Sequence, residues 1–404
     1  MAAVSAPPST GSQSVSEEFY SSLQELPDGE RIRACLQCGT CSGVCPFGYL
    51  MLAPPHRIIG HIRADRFEKV LDSDSAWMCV SCYACTEACP ADIPVTAGLM
   101  TRTKEELVLA GKVPAELQDA LANSQRYGNP LGESPRKRAD WAEGLEPPVP
   151  VLKTAKRPVD VLWFVGDYGS YHNRVQQASR ALAKVLSALG IDFAILGPEE
   201  GSDGDSQRLA GEPGLFEMLA ENNAKAFGKY EFDLIVTADP HAYNALANEY
   251  PRLGIQYPVQ HYVQFLADRL DDLGPMLTNE VPSVVAYHDA CYLGRANGVF
   301  DEPRALLDAI PGVKRVEMTH SGKNSLCCGG GGGGMWLDGF QWEKAGVRMS
   351  EWRVREAVNA QADILAVACP YETPRFEDAA KMIEGASRLA VRDIAELLAQ
   401  SMGE

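Results

Sequence analysis

The 404-residue sequence has no apolar run approaching the roughly 20 residues that crossing a bilayer requires, so no membrane-spanning helix is expected in it. Basic residues are also scarce. There are 37 Lys and Arg against 54 Asp and Glu, a formal net charge of −17. Phosphate binding needs clustered cations, and the only local runs, Arg136-Lys137-Arg138 and the Arg57–Arg66 stretch, read as solvated faces. Nucleic acid is therefore set aside as a partner, and a protein with basic patches fits better. The start of the chain is rich in Ala, Ser, Pro and Thr and lacks the basic residues and apolar stretch of a signal peptide. Residues 1–25 are expected to form a disordered tail, and the protein to stay in the cytoplasm. No Ser/His/Asp or Cys/His arrangement suited to nucleophilic catalysis stands out, although 46% hydrophobic residues supply cores for two or three domains.

Cysteine, by contrast, is abundant: there are 12. Cys35, Cys38, Cys41 and Cys45 precede Pro46, and the pattern returns as Cys79, Cys82, Cys85 and Cys89 before Pro90. A doubled C-x-x-C-x-x-C-x-x-x-C-P run is the spacing of two [4Fe–4S] clusters, in which the fourth cysteine of each run serves the other cluster. The expected ligand sets are crossed: Cys35, Cys38, Cys41 and Cys89 for one, Cys79, Cys82, Cys85 and Cys45 for the other. Zinc sites or disulfides are the alternatives, but the doubled run with both prolines is more specific than any single C-x-x-C. His56 and His61 then read as surface or capping residues, because eight thiolates already complete two clusters.

Between the runs, Ile58, Ile59, Ile62, Phe67, Val70 and Leu71 recur near helical spacing without strand-like alternation, so residues 26–111 are expected to be a helical ferredoxin. Residues 112–157 are dense in Pro, Gly and charge and read as a linker. From Val161-Leu162-Trp163-Phe164-Val165 onward, short apolar runs alternate with helix-like segments, the pattern of a parallel α/β sheet.

This last part contains a repeat. Asp233–Pro240 aligns without gaps on Asp363–Pro370, and Val161–Asp167 on Val285–Cys291, which suggests two related halves, 158–275 and 276–404. Only the second keeps thiols: Cys291, the pair Cys327-Cys328 and Cys369. At the C-terminal ends of parallel strands these would converge in one crevice, and Gly329 to Gly334 would let the backbone approach a cluster closely.

The assembled motifs resemble the iron–sulfur subunits of the heterodisulfide reductase-related family, in which a helical two-cluster ferredoxin is fused to a repeated cysteine-rich "CCG" domain. They are the two ferredoxin runs, His288-Asp289-Ala290-Cys291-Tyr292-Leu293-Gly294-Arg295, Asn324-Ser325-Leu326-Cys327-Cys328-Gly329 and Ala368-Cys369-Pro370-Tyr371. The resemblance implies an α plus α/β fold, three [4Fe–4S] clusters and no flavin in this chain, the third cluster held by Cys291, Cys327, Cys328 and Cys369. It implies an electron-transfer subunit that links a flavoprotein partner to other iron–sulfur or redox subunits, in anaerobic aromatic-CoA, sulfur or acyl-CoA metabolism. A catalytic disulfide- or quinone-reducing subunit, the iron–sulfur subunit of a glycolate or lactate oxidase, and a docking module are the alternatives.

The sequence departs from the family in two places. The usual closing Cys-Pro-x-Cys has Glu372 as its last residue, which leaves four thiolates and puts a five-thiolate noncubane cluster in doubt, with Glu372 a candidate oxygen ligand. In the first half the cysteine positions fall on Asp167, Ser202-Asp203, Asp239 and Ala242. No cluster is expected there; Asp167, Asp203, Asp239 and His241 either converge on a hard cation or remain as solvated carboxylates of a decayed site.

Overall fold

The structure, a computed structural model, describes residues 14–403. The segment expected to be tail contains a helix, Val15–Gln24, started by a capping box in which Ser14 Oγ accepts from Glu17 N–H at 3.2 Å. Phe19 then stacks on Phe67 with ring centroids 3.8 Å apart, and Ser16 Oγ accepts from Phe67 N–H. The polar composition concealed a helix with one apolar face; residues 1–13 of the expected tail lie outside the described residues.

The ferredoxin region is helical as its periodicity indicated. Helix Pro55–Arg63 buries Ile58, Ile59 and Ile62, and Thr101–Leu109 follows a π-helical turn at Val95–Met100. No strand occurs before residue 159 among the described residues.

The expected linker is also structured. Helix Ala115–Tyr127 buries Leu117 and Ala120, and past it Trp141 packs edge-on against Trp163 at 5.1 Å, while Val151 bridges to Ile195. Pro135 opens a short 3₁₀ turn, a second follows at Asp140–Ala142, and buried Trp141 and Leu145 hold the chain against the α/β core.

Two parallel four-stranded sheets follow. Strands β1 (Val159–Phe164), β2 (Phe193–Ile195), β3 (Phe232–Thr237) and β4 (Val259–His261) lie in the order β2-β1-β3-β4. Strands β5 (Ser283–Tyr287), β6 (Val313–Val316), β7 (Ile364–Val367) and β8 (Ala390–Asp393) repeat it as β6-β5-β7-β8. Even the register recurs: Val161 pairs with Leu234 as Val285 pairs with Ile364, the same partners under the gapless sequence alignment.

One hydrophobic core runs through both sheets, from Trp163 and Val236 to Val285, Ala366 and Ile394. Helix Val175–Ala188 of the first half packs on Ile394–Met402 of the second, and Arg174 adds ion pairs to Glu377 and Glu396 at 2.6 and 3.0 Å. Two aromatic contacts show how the halves are related. His241 lies on Tyr292 with centroids 4.0 Å apart, and Tyr371 meets Tyr168 at 4.8 Å. Under the alignment Tyr292 corresponds to Tyr168 and His241 to Tyr371, so exchanging the halves turns one contact into the other.

Candidate metal centres

Both ferredoxin runs are bent in the same way. Two residues with positive φ separate the first three thiols of each: Gln37 and Gly39 in one, Ser81 and Tyr83 in the other. Left-handed backbone at non-glycine residues is costly, and here it turns successive sulfurs to one side. The fourth thiols cross over. Cys45 lines one small cavity with Cys79, Cys82 and Cys85, walled by Met51, Met78 and Met100, and Cys89 lines another with Cys35, Cys38 and Cys41. Burial pushes the Cys45 and Cys85 thiols up, and neighbouring sulfurs push further. A cation at the centre of each set would relieve that cost, as iron does for thiolates. Cys38 is the exposed member, so its set lies nearer the solvent.

In the second α/β half, Cys291 and Cys369 follow β5 and β7 at their C-terminal ends, and Cys327-Cys328 reach them from the loop after β6. All four are buried, and Cys291 Sγ lies 4.0 Å from Cys327 Sγ. Gly329 and Gly330 donate backbone N–H groups to Cys327 and Cys328 sulfurs at 3.3 and 3.4 Å. Around the set stand two buried polar atoms without partners, Glu372 Oε2 and Arg295 Nη2, and His288 Nε2, 3.2 Å from Glu372 Oε1. Buried polar groups are normally satisfied, so these orphans, with four converging thiols, fit a polar, metal-containing group bound among them.

The glycine run serves a second purpose that the sequence did not reveal. A Cβ on Gly331 would meet Val80 O at 2.7 Å, and one on Gly332 would meet Ser81 Oγ at 2.6 Å and Cys79 O at 2.8 Å. The loop is pressed against the second ferredoxin run. Buried Lys104 fixes this seam by donating to Cys79 O at 2.8 Å and Gly332 O at 2.7 Å. Arg295 clamps the other side, reaching Cys82 O at 2.7 Å and Ser325 O at 2.6 Å. In this seam Cys79 and Cys82 pack against the buried cluster that contains Cys291, Cys327 and Cys328, and the Cys82 thiol is held below its usual range by neighbouring Cys327 and the Arg295 cation. Arg295 closes a motif visible in the sequence; nothing in the sequence signalled Lys104.

The first half closes its equivalent site with ion pairs. Buried Arg138, from the supposed linker, pairs with Asp167 at 2.5 Å and Glu200 at 2.7 Å, while Asp205 takes His241 at 2.8 Å and Arg208 at 2.7 Å. Asp167 and His241 are thus committed to other partners. Among the described residues, the one trio of His, Cys and acidic groups with mutually metal-compatible spacing is His288, Cys328 and Glu372, in the second half. Asp203 and Asp239 remain buried, and their carboxyls sit above the usual range because of burial.

Fold and thiol geometry together define an iron–sulfur protein of the ferredoxin-plus-cysteine-rich type. Residues 31–93 match the 4Fe-4S dicluster domain family, and residues 161–247 and 285–371 each match the cysteine-rich domain family CCG. The chain is 32% identical to a subunit of the dihydromethanophenazine:CoB–CoM heterodisulfide reductase from Methanosarcina barkeri, over 92% of this chain and 94% of that one. It is 35% identical to the probable iron-sulfur-binding oxidoreductase FadF of Bacillus subtilis and 32% identical to EtfAB:quinone oxidoreductase of Syntrophomonas wolfei, in each case over 82% of this chain. The chain spans about half the length of these last two, 47% of each. It belongs to the family that unites this heterodisulfide reductase component with related iron–sulfur oxidoreductases. No helix of the described residues is long and apolar enough to cross a membrane.

Proposed function

We propose that this chain is the electron-conducting subunit of a larger cytoplasmic oxidoreductase complex, passing electrons between a flavoprotein and another redox subunit in anaerobic metabolism. Three [4Fe–4S] clusters would be held by Cys35, Cys38, Cys41 and Cys89; by Cys79, Cys82, Cys85 and Cys45; and by Cys291, Cys327, Cys328 and Cys369. Such clusters supply one-electron chemistry when bound. The observation that carries the reading is the packing of Cys79 and Cys82 against the buried cluster that contains Cys291, Cys327 and Cys328, which brings the second ferredoxin set against the cysteine-rich set. The set containing exposed Cys38 faces outward, where a partner can come near. Lys104 and Arg295 lock the seam between the two regions, and the glycine loop removes side chains from it.

Three features support a relay over a stand-alone disulfide reductase. The first half carries ion pairs where a second cysteine-rich site would be, the remaining four thiols are buried, and the Syntrophomonas relative is named as acting between EtfAB and quinone. Protein purified without oxygen should contain about 12 iron atoms, four for each cubane. About eight would remove the third cluster, and zinc in place of iron would refute the whole reading.

A further inference from the structure

Glu372 stands where the resembled family has the last cysteine of its closing Cys-Pro-x-Cys, and its surroundings are unusual for a carboxylate. It is 1% exposed and opens helix Glu372–Ala380 directly after Cys369-Pro370-Tyr371, its N–H bonded to Cys369 O at 3.1 Å. No Lys or Arg pairs with it among the described residues; its neighbours are His288, whose Nε2 lies 3.2 Å from Oε1, and the Cys328 thiol. The other oxygen, Oε2, has no partner at all. A buried carboxylate with an orphaned oxygen calls for a cation or a donor at that position.

His288 is not free to be that cation's ligand. Its Nδ1 accepts from Arg353 Nε at 2.8 Å, and since a guanidinium cannot accept, the ring's own proton must sit on Nε2, on the side of Glu372. Arg353 is held in turn by Glu356 Oε2 at 2.6 Å, so the tautomer is fixed from behind. Of the trio with metal-compatible spacing, this leaves the Cys328 sulfur and a Glu372 oxygen, within 4.8 Å of each other, as the atoms able to share a metal.

We propose that Glu372 supplies an oxygen ligand to one iron of the group held by Cys291, Cys327, Cys328 and Cys369, with His288 as the positioning residue that aims it. The proposal rests on the reading that these cysteines hold a cluster. One iron would then be chemically distinct, with a hard Glu372 oxygen beside the soft Cys328 sulfur and exchanging more readily than it. The corresponding residue in the first half, Ala242, offers no donor, in keeping with the loss of thiols there.

Mössbauer spectra of the full chain, grown on isotopically enriched iron and purified without oxygen, test this. About one iron in 12 should give a separate doublet in the wild type. Glu372→Gln, nearly isosteric, and Glu372→Cys, which offers sulfur instead, should both lose that doublet while iron content stays unchanged. His288→Leu should diminish it and His288→Gln should restore part of it. A doublet that persists in Glu372→Gln and Glu372→Cys, or a wild type with full iron and no distinct doublet, would overturn the proposal and leave the relay reading intact. A wild type with only about eight irons would overturn both.

Discussion

Replacing Arg138 by methionine should destabilise the protein severely, though Arg138 lies in a stretch whose composition reads as linker. Its guanidinium is buried between Asp167 and Glu200, at 2.5 and 2.7 Å. Methionine fills much of the stem's volume but leaves both carboxylates without a cation. Glu200 is partly insured, because its oxygens also accept from Val165 and Gly166 N–H at 3.0 and 2.9 Å. Asp167 has no other side-chain partner among the described residues, so the penalty falls on it. Breaking a buried pair from one side costs about 3–5 kcal/mol. With a urea m-value of about 3 kcal/mol/M, the unfolding midpoint should drop by about 1–1.7 M at neutral pH. Adding Asp167→Asn removes the stranded charge and should recover about 2 kcal/mol, a non-additivity that identifies charge as the cause. Anaerobic urea titrations of wild type, both single variants and the double variant measure this. A loss under about 1 kcal/mol in Arg138→Met, or a double variant with no recovery, refutes the argument.

Crossed ligation predicts that Cys45→Ala damages the cluster otherwise held by Cys79, Cys82 and Cys85, and Cys89→Ala the other; electron paramagnetic resonance resolves which signal is lost, and each run closing its own cluster would contradict it. Arg295 is a buried cation beside Cys82, Cys291 and Cys327, so Arg295→Gln should make reduction of the adjoining clusters less favourable, with Arg295→Lys closer to wild type, in potentiometric titrations. Cys369→Ala should remove about four irons, whereas Asp239→Asn should leave iron content unchanged. Burial pushes Asp239 up to about 6, with Asp167 and Asp205 adding to it against His241. The folded state then holds a proton that an unfolded Asp, near pKa 3.9, has released; that stability is complete below about pH 4 and is lost as pH rises through about 6. Asp239→Asn should therefore gain about 2–3 kcal/mol relative to wild type between pH 4 and 7, and parallel pH profiles would refute the assignment.

The two ferredoxin runs, the helix between them and the repeated sheet were legible in the sequence because each leaves a periodic trace: regular cysteine spacing, helical recurrence of Ile58, Ile59 and Ile62, and apolar strands ending at aligned positions. Helix Val15–Gln24 was not, because its signal is a capping box and two apolar residues inside a polar stretch. The linker assignment failed for a different reason. Proline density indicates that a chain is not regular, and says nothing about whether it is packed; Trp141, Leu145 and Arg138 are buried against elements that come later in the sequence. The seam residues share this obscurity. Lys104 sits in an ordinary helical pattern, and its role appears only when Gly332 is folded against Cys79.

The pseudo-symmetry also explains why a half without thiols is retained. In each half the residue after the first cysteine position and the residue two after Cys369 or its counterpart Asp239 meet the other half: Tyr292 on His241, Tyr168 on Tyr371. The first half therefore supplies one wall of the cysteine-rich site in the second. Tyr371, two residues from Cys369, is further tied to it through Ser206, 3.0 Å from its hydroxyl. Behind that wall Arg138 pairs with Asp167, and Arg208 and His241 pair with Asp205, so these carboxylates are held within the protein. The half without thiols thus contributes through His241, Tyr168 and Ser206 to the surroundings of the half that carries them.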